Sequence, residues 1–567
     1  MIINNLKKSL AVLTLLIFNL PFIVNANYLL MGSVPDPMDS WAPSGYTGTV
    51  VDPINGEAPQ DWLTAKNLGL PAYYVDSSHP AATNSGNLFG SPDKPRATIL
   101  EGTYEAGSYV EIHGGPYDGG GQLIIEANGT PDKPVWIRGL NSDNRALISG
   151  ETIVKGQYII LENLEYNTPR NTIAFRPHGG SSLHHAVVRN SVFHGDGELS
   201  GATSVIAIYG ESPENRFHDI VVYNNEISQF GNDYDEVDPA DGLSIENDFH
   251  GVQPQTNLDR VWIIKNNIHH LGGDSVQVGA PTADENRPSD VYIVDNDFYS
   301  NLENAIDIKA SDNTLIIGNR MWDWKQHKDN SSTGSPIIIH NSSSNTWVVN
   351  NEISDGTGAV VVTGSSLDTW VVGNVIKDIK HATWDTSWDA GVFDAGAGVH
   401  FHGSSSGGIV NNTIISYDKG IEVTEGDYLI TNNLLYNRNE KLGTDIWVES
   451  KGNFLLAKNL VNPNSFEANY YNVTCSSCIS TPPSFADPDS VLVDDSYEGI
   501  GNGFPITSVL TLYTETFGTM LTKDIYGNTR IKDGIDIGAE ESLFSAQNEI
   551  QIPLQPSIMG IEVTTPE

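Results

Sequence analysis

The residues best suited to proton chemistry occupy repeated places in a series of four-residue rows. The first are Ile173-Ala174-Phe175-Arg176, Ile206-Ala207-Ile208-Tyr209, Leu243-Ser244-Ile245-Glu246 and Val276-Gln277-Val278-Gly279. Then come Ile306-Asp307-Ile308-Lys309, Ile337-Ile338-Ile339-His340, Val360-Val361-Val362-Thr363, Val399-His400-Phe401-His402 and Ile421-Glu422-Val423-Thr424. First and third positions are apolar in every row, so on strands the second and fourth face outward. With rows stacked at about 4.8 Å, Lys309 and His340 become neighbours, Asp307 and His400 share the next column, and Gly279 leaves a gap beside Lys309. An ammonium beside an imidazole is a candidate catalytic pair for moving protons. Imidazole titrates near neutrality, whereas lysine serves as a base only if its pKa falls from about 10.4. Arg176, Tyr209, Glu246, Asp307, His400 and His402 are the candidate substrate contacts.

A second concentration precedes the third row, where residues 231–242 include Asp233, Asp235, Asp238 and Asp241. Asp274 repeats the place of Asp241 one row later, and Asn304 follows in the next. Carboxylates at close range repel one another unless a cation is present. Hard oxygen ligands favour Ca²⁺, so Asp233, Asp235, Asp238, Asp241 and Asp274 are the expected metal ligands. No EF-hand spacing is present, and a solvated acidic loop is the plainer alternative.

Positioning such columns requires a repeating element. Short apolar alternations ending in Asn recur at Asn163, Asn190, Asn225, Asn267, Asn296, Asn319, Asn351, Asn374, Asn412 and Asn433. The tightest intervals, Asn412 to Asn433 and Asn296 to Asn319, are 21 and 23 residues. Val- and Ile-rich strands at this period, without helical periodicity, predict an all-β fold: a right-handed parallel β-helix (solenoid) with lateral loop insertions. At a tight corner Asn tolerates left-handed angles, and its amide can bond to the Asn of the next coil. Longer intervals place insertions at 231–240, 249–257, 281–289, 324–334 and 381–397, where they would wall a groove.

The row Glu303-Asn304-Ala305-Ile306-Asp307-Ile308-Lys309-Ala310-Ser311-Asp312-Asn313 carries a Lys-x-x-Asp-Asn run. It resembles the segment with the catalytic lysine in polysaccharide lyase family 6, the alginate lyase and chondroitinase B group. Asp241-Gly242, Asp274 and Lys309 on successive rungs are also similar to family 9 pectate lyases, where aspartates hold Ca²⁺ and a lysine is the base. The resemblance implies Ca-assisted β-elimination on a uronic-acid-containing polysaccharide, with Lys309 as base. Elimination needs the carboxylate neutralised, a base, and a proton for the leaving oxygen. Family 6 places an arginine about one rung after its lysine; this chain has His340 there, and the paired aspartates of family 9 are missing. The order of Lys309 and His340 as base and acid stays open. One alternative is hydrolysis by two of Glu246, Asp307 and Glu422, which requires separations of about 5 or 6.5 to 9.5 Å. Another is a non-catalytic glycan binder or adhesin stacking sugars on Trp322, Trp324, Trp347, Trp370, Trp384 and Trp388.

Composition narrows the setting. Lys7 and Lys8 precede an apolar stretch, 10–24, that ends at Val24-Asn25-Ala26, so residues 1–26 read as a signal peptide. Residues 27–72 form an N-terminal extension, 73–541 the β-helix with its N-terminal cap and C-terminal closing segment, and 542–567 a loose tail. The 567-residue chain has a formal charge of −41, and loss of two signal-peptide lysines makes it −43. Such a field excludes nucleic acid and anionic membrane as partners. It also opposes a polyanionic substrate, except where Lys309, Arg320, Lys325 and Lys328 make a local cationic patch. No later segment approaches the roughly 18 to 20 apolar residues of a membrane span. The expectation is a secreted or periplasmic monomer, with Cys475 and Cys478 closing a local disulfide.

Overall fold

Apolar alternation becomes three parallel faces that repeat with every coil. The computed structural model describes residues 32–541 apart from 168–171, 178–181, 196–202, 233–246, 281–285, 325–333, 382–395, 404, 439–443, 449–451, 462–465, 469–474, 476, 484, 486–492, 494–496 and 531–534. One face stacks Val276–Gly279, Ile306–Lys309, Ile337–His340, Val360–Val362, Ala397–Phe401 and Lys419–Val423 in parallel; it carries the rows, and we call it the row face. A second, the ladder face, includes Leu183–Arg189, Phe217–Tyr223, Leu258–Ile264, Ser289–Val294, Asp312–Ile317 and Ser344–Val349. The third is an 11-stranded sheet that includes Glu226–Phe230, Asn267–Leu271 and Asp297–Tyr299. The fold is a right-handed parallel β-helix. Ile306, Ile308, Ile337, Ile339, Val360 and Val362 point inward and are fully buried. Each such side chain contributes about 1.5 to 3 kcal/mol, which locks the opposite set of side chains outward.

The corner after the ladder face divides between two residues the roles expected of one. Asn225, Asn266, Asn296, Asn319, Asn351, Asn374, Asn412, Asn433 and Asn459 form the ladder. Each Nδ2 donates to the Oδ1 of the next at 2.9 to 3.0 Å. The left-handed residue is the one before: Asn224, Lys265, Asp295, Gly318, Asn350, Gly373, Asn411 and Asn432. Thus Asn266 and not Asn267 is the rung, and Asn163 and Asn190 are left-handed corner residues (both φ 54). The left-handed place admits Lys265 and Asp295, whereas the rung needs a side chain that donates and accepts at once, as the Asn amides do and as the Ser191 hydroxyl does at the place before Asn225.

A second correction concerns the third row. The strand following Thr203–Ile208 on the row face is Phe249–Pro254, with Ile206 opposite Val252 and Ala207 opposite Gln253. Val252 then pairs with Val276 of the next coil. Val252-Gln253-Pro254-Gln255 therefore takes the place expected for 243–246, and 249–257 is the strand Phe249–Pro254 with the turn that follows it, not an insertion. Both segments alternate apolar residues, and only the pairing separates them. Residues 243–246 lie outside the described residues.

The chain's ends sheathe the ladder face. Trp41 and Trp62 of the N-terminal segment pack there, and Trp262 Nε1 donates to Pro35 O at 2.9 Å. Arg189, paired with Glu162 at 2.7 Å, donates to the carbonyl oxygens of Pro53, Ile54 and Gly56. Helix Thr507–Phe517 lies on the same face, with Tyr513 edge-on to Trp347 at 5.2 Å. Cys475 and Cys478 are disulfide-bonded. Among the described residues, no helix is long and apolar enough to cross a membrane.

Candidate catalytic face

Rigid pairing of three coils brings the reactive groups together. Gly279 is opposite Lys309, and Lys309 is opposite His340. In the inner column Gln277 is opposite Asp307, which is opposite Ile338. Gly279, at φ 82, is not a vacancy, because a Cβ there would lie 1.6 Å from the Lys309 carbonyl oxygen. Glycine permits this close backbone approach in the left-handed region.

Asp307 joins the two candidate catalytic groups. Its Oδ2 is 2.8 Å from Lys309 Nζ and its Oδ1 is 2.8 Å from His340 Nε2. The Asp307 side chain is 8% exposed, against 20% for Lys309 and 25% for His340, so the carboxylate lies beneath two partners that reach solvent. Burial disfavours the Asp307 anion, but His340 and then Lys309 outweigh it and hold its pKa below the usual carboxylate range. Burial likewise disfavours the Lys309 ammonium, but Asp307, followed by Asp274 and Glu303, outweighs it and holds the pKa above the ordinary lysine value. The shift runs opposite to the fall that a lysine base requires, because Asp307 in contact and Asp274 and Glu303 at longer range all favour the cation.

On the two preceding coils and the turn that leads into Ile306 lies a carboxylate and histidine group. His250 Nδ1 is 3.2 Å from Asp274 Oδ2 and 3.8 Å from Glu303 Oε2. Asp248, His250 and Glu303 offer ligand atoms within 4.8 Å of one another, close enough to bind a metal. Asp274, fully buried, accepts from Asn304 N at 2.9 Å and from Gln277 Nε2 at 3.0 Å, so it braces the group more than it opens toward a ligand. Asp233, Asp235, Asp238, Asp241 and Glu246 lie outside the described residues, as do Lys325, Lys328, Trp384 and Trp388. Sequence reasoning missed His250, since 249–257 was taken out of the rows; aligning Val252 and Pro254 as the apolar pair would have found it.

The remaining candidates spread along the face. Arg176 lies four strands from Lys309 and pairs with Glu151 at 3.2 Å; Tyr209 lies three strands away on the same side. On the other side His400, 3% exposed, and His402 lie three strands off, their rings 5.6 Å apart. Asp307 and Glu422 are four spacings apart, about 19 Å, too far for paired-carboxylate hydrolysis. Glu422 also has both oxygens on Lys419 Nζ, at 3.0 and 2.9 Å. Trp324 and Trp347 are buried as packing residues, Trp370 stacks on Trp347, and Trp322 stacks on Tyr299 at 4.6 Å.

The chain is similar to several solved structures. They include the PL6 family alginate lyase AlyGC, at 14% identity and TM-score 0.44 over 80% of this chain and 57% of that one. The alginate lyase AlyF-OU02, solved in complex with G6, gives 14% and 0.44 over 70% and 86%. The A-module of the Azotobacter vinelandii mannuronan C-5 epimerase AlgE4 gives 12% and 0.35 over 73% and 99%. This chain spans 57% of the length of AlyGC. No protein-family model matches it, and no curated protein matches it in sequence.

Proposed function

We propose that the protein is a secreted polysaccharide-degrading enzyme, a lyase that cleaves a uronic-acid-containing glycan by β-elimination with the help of a divalent cation. The observation that carries this reading is the Asp307 bridge, which sets an ammonium and an imidazole side by side at the mouth of a regular face. Elimination beside a carboxylate calls for one group that takes a proton and one that gives one. A chain of −41 repels a polyanion at long range. A cation held on the row face is therefore what a uronate would meet locally.

The donor set at Asp248, His250 and Glu303 fits a divalent cation, with two carboxylates and one imidazole converging. Ca²⁺ is the ion proposed from the sequence, and it would draw further oxygens from the acidic run 233–241. When bound, such an ion supplies charge that neutralises the substrate carboxylate. Purified protein incubated with alginate, pectate, chondroitin sulfate and neutral glycans, with and without chelator, tests the reading. The expected result is an ultraviolet-absorbing unsaturated product from one uronate polymer, lost with chelator. Reducing ends without ultraviolet absorbance would instead indicate hydrolysis, and binding without cleavage an adhesin.

A further inference from the structure

The Lys309, Asp307 and His340 contact carries a finer assignment, which rests on the lyase reading above. Asp307 turns one oxygen to each partner, and the oxygen facing His340 meets Nε2 at 2.8 Å. A carboxylate can only accept, so the proton of the neutral imidazole stays on Nε2 and the lone pair stays on Nδ1. Among the described residues, Nδ1 has no hydrogen-bond or ion-pair partner, and the side chain is a quarter exposed. Lys309 offers Asp307 one of its three N–H groups, which leaves two for a substrate oxygen.

We infer that Asp307 is a positioning residue that makes His340 the base and keeps Lys309 as the acid. His340 Nδ1 takes the proton from C5, next to the uronate carboxylate. The C–H electron pair becomes the C4–C5 double bond, and the bond from C4 to the glycosidic oxygen breaks. That oxygen takes a proton from the Lys309 ammonium. Water then returns a proton to Lys309 and removes one from His340, so the enzyme ends as it began. A departing alkoxide is more basic than any lysine, so a pKa held high by the contact with Asp307 does not prevent donation, whereas it leaves almost no neutral amine to act as base. The charged and titratable groups around the pair are Asp307 between them, Asp274 from the coil before, and Glu303 from the turn that leads into the Lys309 strand.

Four variants test the assignment on whichever polymer the wild type cleaves. Lys309→Arg keeps the cation but cannot be a base, and we expect it to retain at least a tenth of kcat while Lys309→Ala loses a thousandfold. His340→Ala should fall below one hundredth and recover when imidazole is added. Asp307→Asn should lose about a hundredfold or more in kcat with KM within threefold. If Lys309→Arg is as inactive as Lys309→Ala while His340→Ala keeps a tenth of kcat, lysine is the base and the inference is overturned. An Asp307→Asn enzyme with unchanged kcat removes the positioning role. Should Asp307→Asn misfold by circular dichroism, imidazole rescue of His340→Ala still decides the base. Failure of the lyase reading itself looks different: the wild type yields no unsaturated product from any uronate polymer.

Discussion

Two buried aspartates, Asp219 on the ladder face and Asp307 on the row face, are each surrounded by a cation and imidazole, yet they end in opposite conditions. Asp219 is saturated. Arg260 donates Nε to Oδ1 and Nη2 to Oδ2, both at 2.8 Å, Ser40 Oγ donates to Oδ1 at 2.6 Å, and His218 Nδ1 contacts Oδ2. Burial opposes its anion, but Arg260, His218 and Ser40 outweigh it and hold its pKa far below the carboxylate range. His185 meets Ser40 O at 2.9 Å, so the group clasps the N-terminal segment. His185, His218 and Asp219 are near enough to suggest a metal site, but the Arg260 guanidinium already fills the cation's place. Among the described residues Asp307 has two side-chain partners, Lys309 and His340, both partly exposed. The same chemical types make an anchor where the carboxylate accepts from three residues, one of them on the N-terminal segment, and a candidate reactive site where it meets only two neighbours of its own face among the described residues.

That contrast can be broken or sharpened by substitution. Lys309→Ala should lower kcat about a thousandfold, equivalent to about 4 kcal/mol of barrier, with the melting temperature nearly unchanged; a large loss of stability instead would make Lys309 a second anchor. Asp219→Ala should do the reverse. Removing a buried carboxylate from a guanidinium and imidazole costs about 3 to 5 kcal/mol, seen as a lower urea midpoint, while kcat per folded molecule stays at the wild-type value. Ser40→Ala, which deletes one hydrogen bond to a charged group, should cost about 1.5 to 3 kcal/mol and speed proteolysis within the N-terminal segment; proteolysis at the wild-type rate would show that Ser40 does not fasten it.

The smallest effect is on acid stability. Burial, then His185 and His218, push His184 down from 6.5 to about 4. The unfolded chain therefore binds this proton first, and the stability is fully present above about pH 6.5 and is lost as pH falls toward about 4. Urea midpoints across this range should decline with acid, and His184→Gln should flatten the slope. An equal slope in both proteins would assign the decline elsewhere.

Much of the coil was legible because its signal is local. Apolar first and third positions must face inward wherever the strand lies, and aligning Ile306 with Ile337 places Lys309 beside His340 without further information. The candidate metal group was less legible. Val252 and Pro254 offered the same alternation as Leu243 and Ile245, and no single-strand pattern says which segment finds a partner. Ser40 and Asp219 lie 179 residues apart, and nothing in either neighbourhood announces the other.

The amino-acid order by itself determined the period, the inward and outward sets, and the meeting of an ammonium with an imidazole, since all follow from side-chain alternation along short strands. Only the tertiary structure decided which segment fills each coil, that Asp307 bridges the pair, and that Lys309 stays charged. Those outcomes depend on distances between chains of neighbours and on burial, and Coulomb interactions at about 3 Å act on whatever the fold has brought within reach, regardless of separation in sequence.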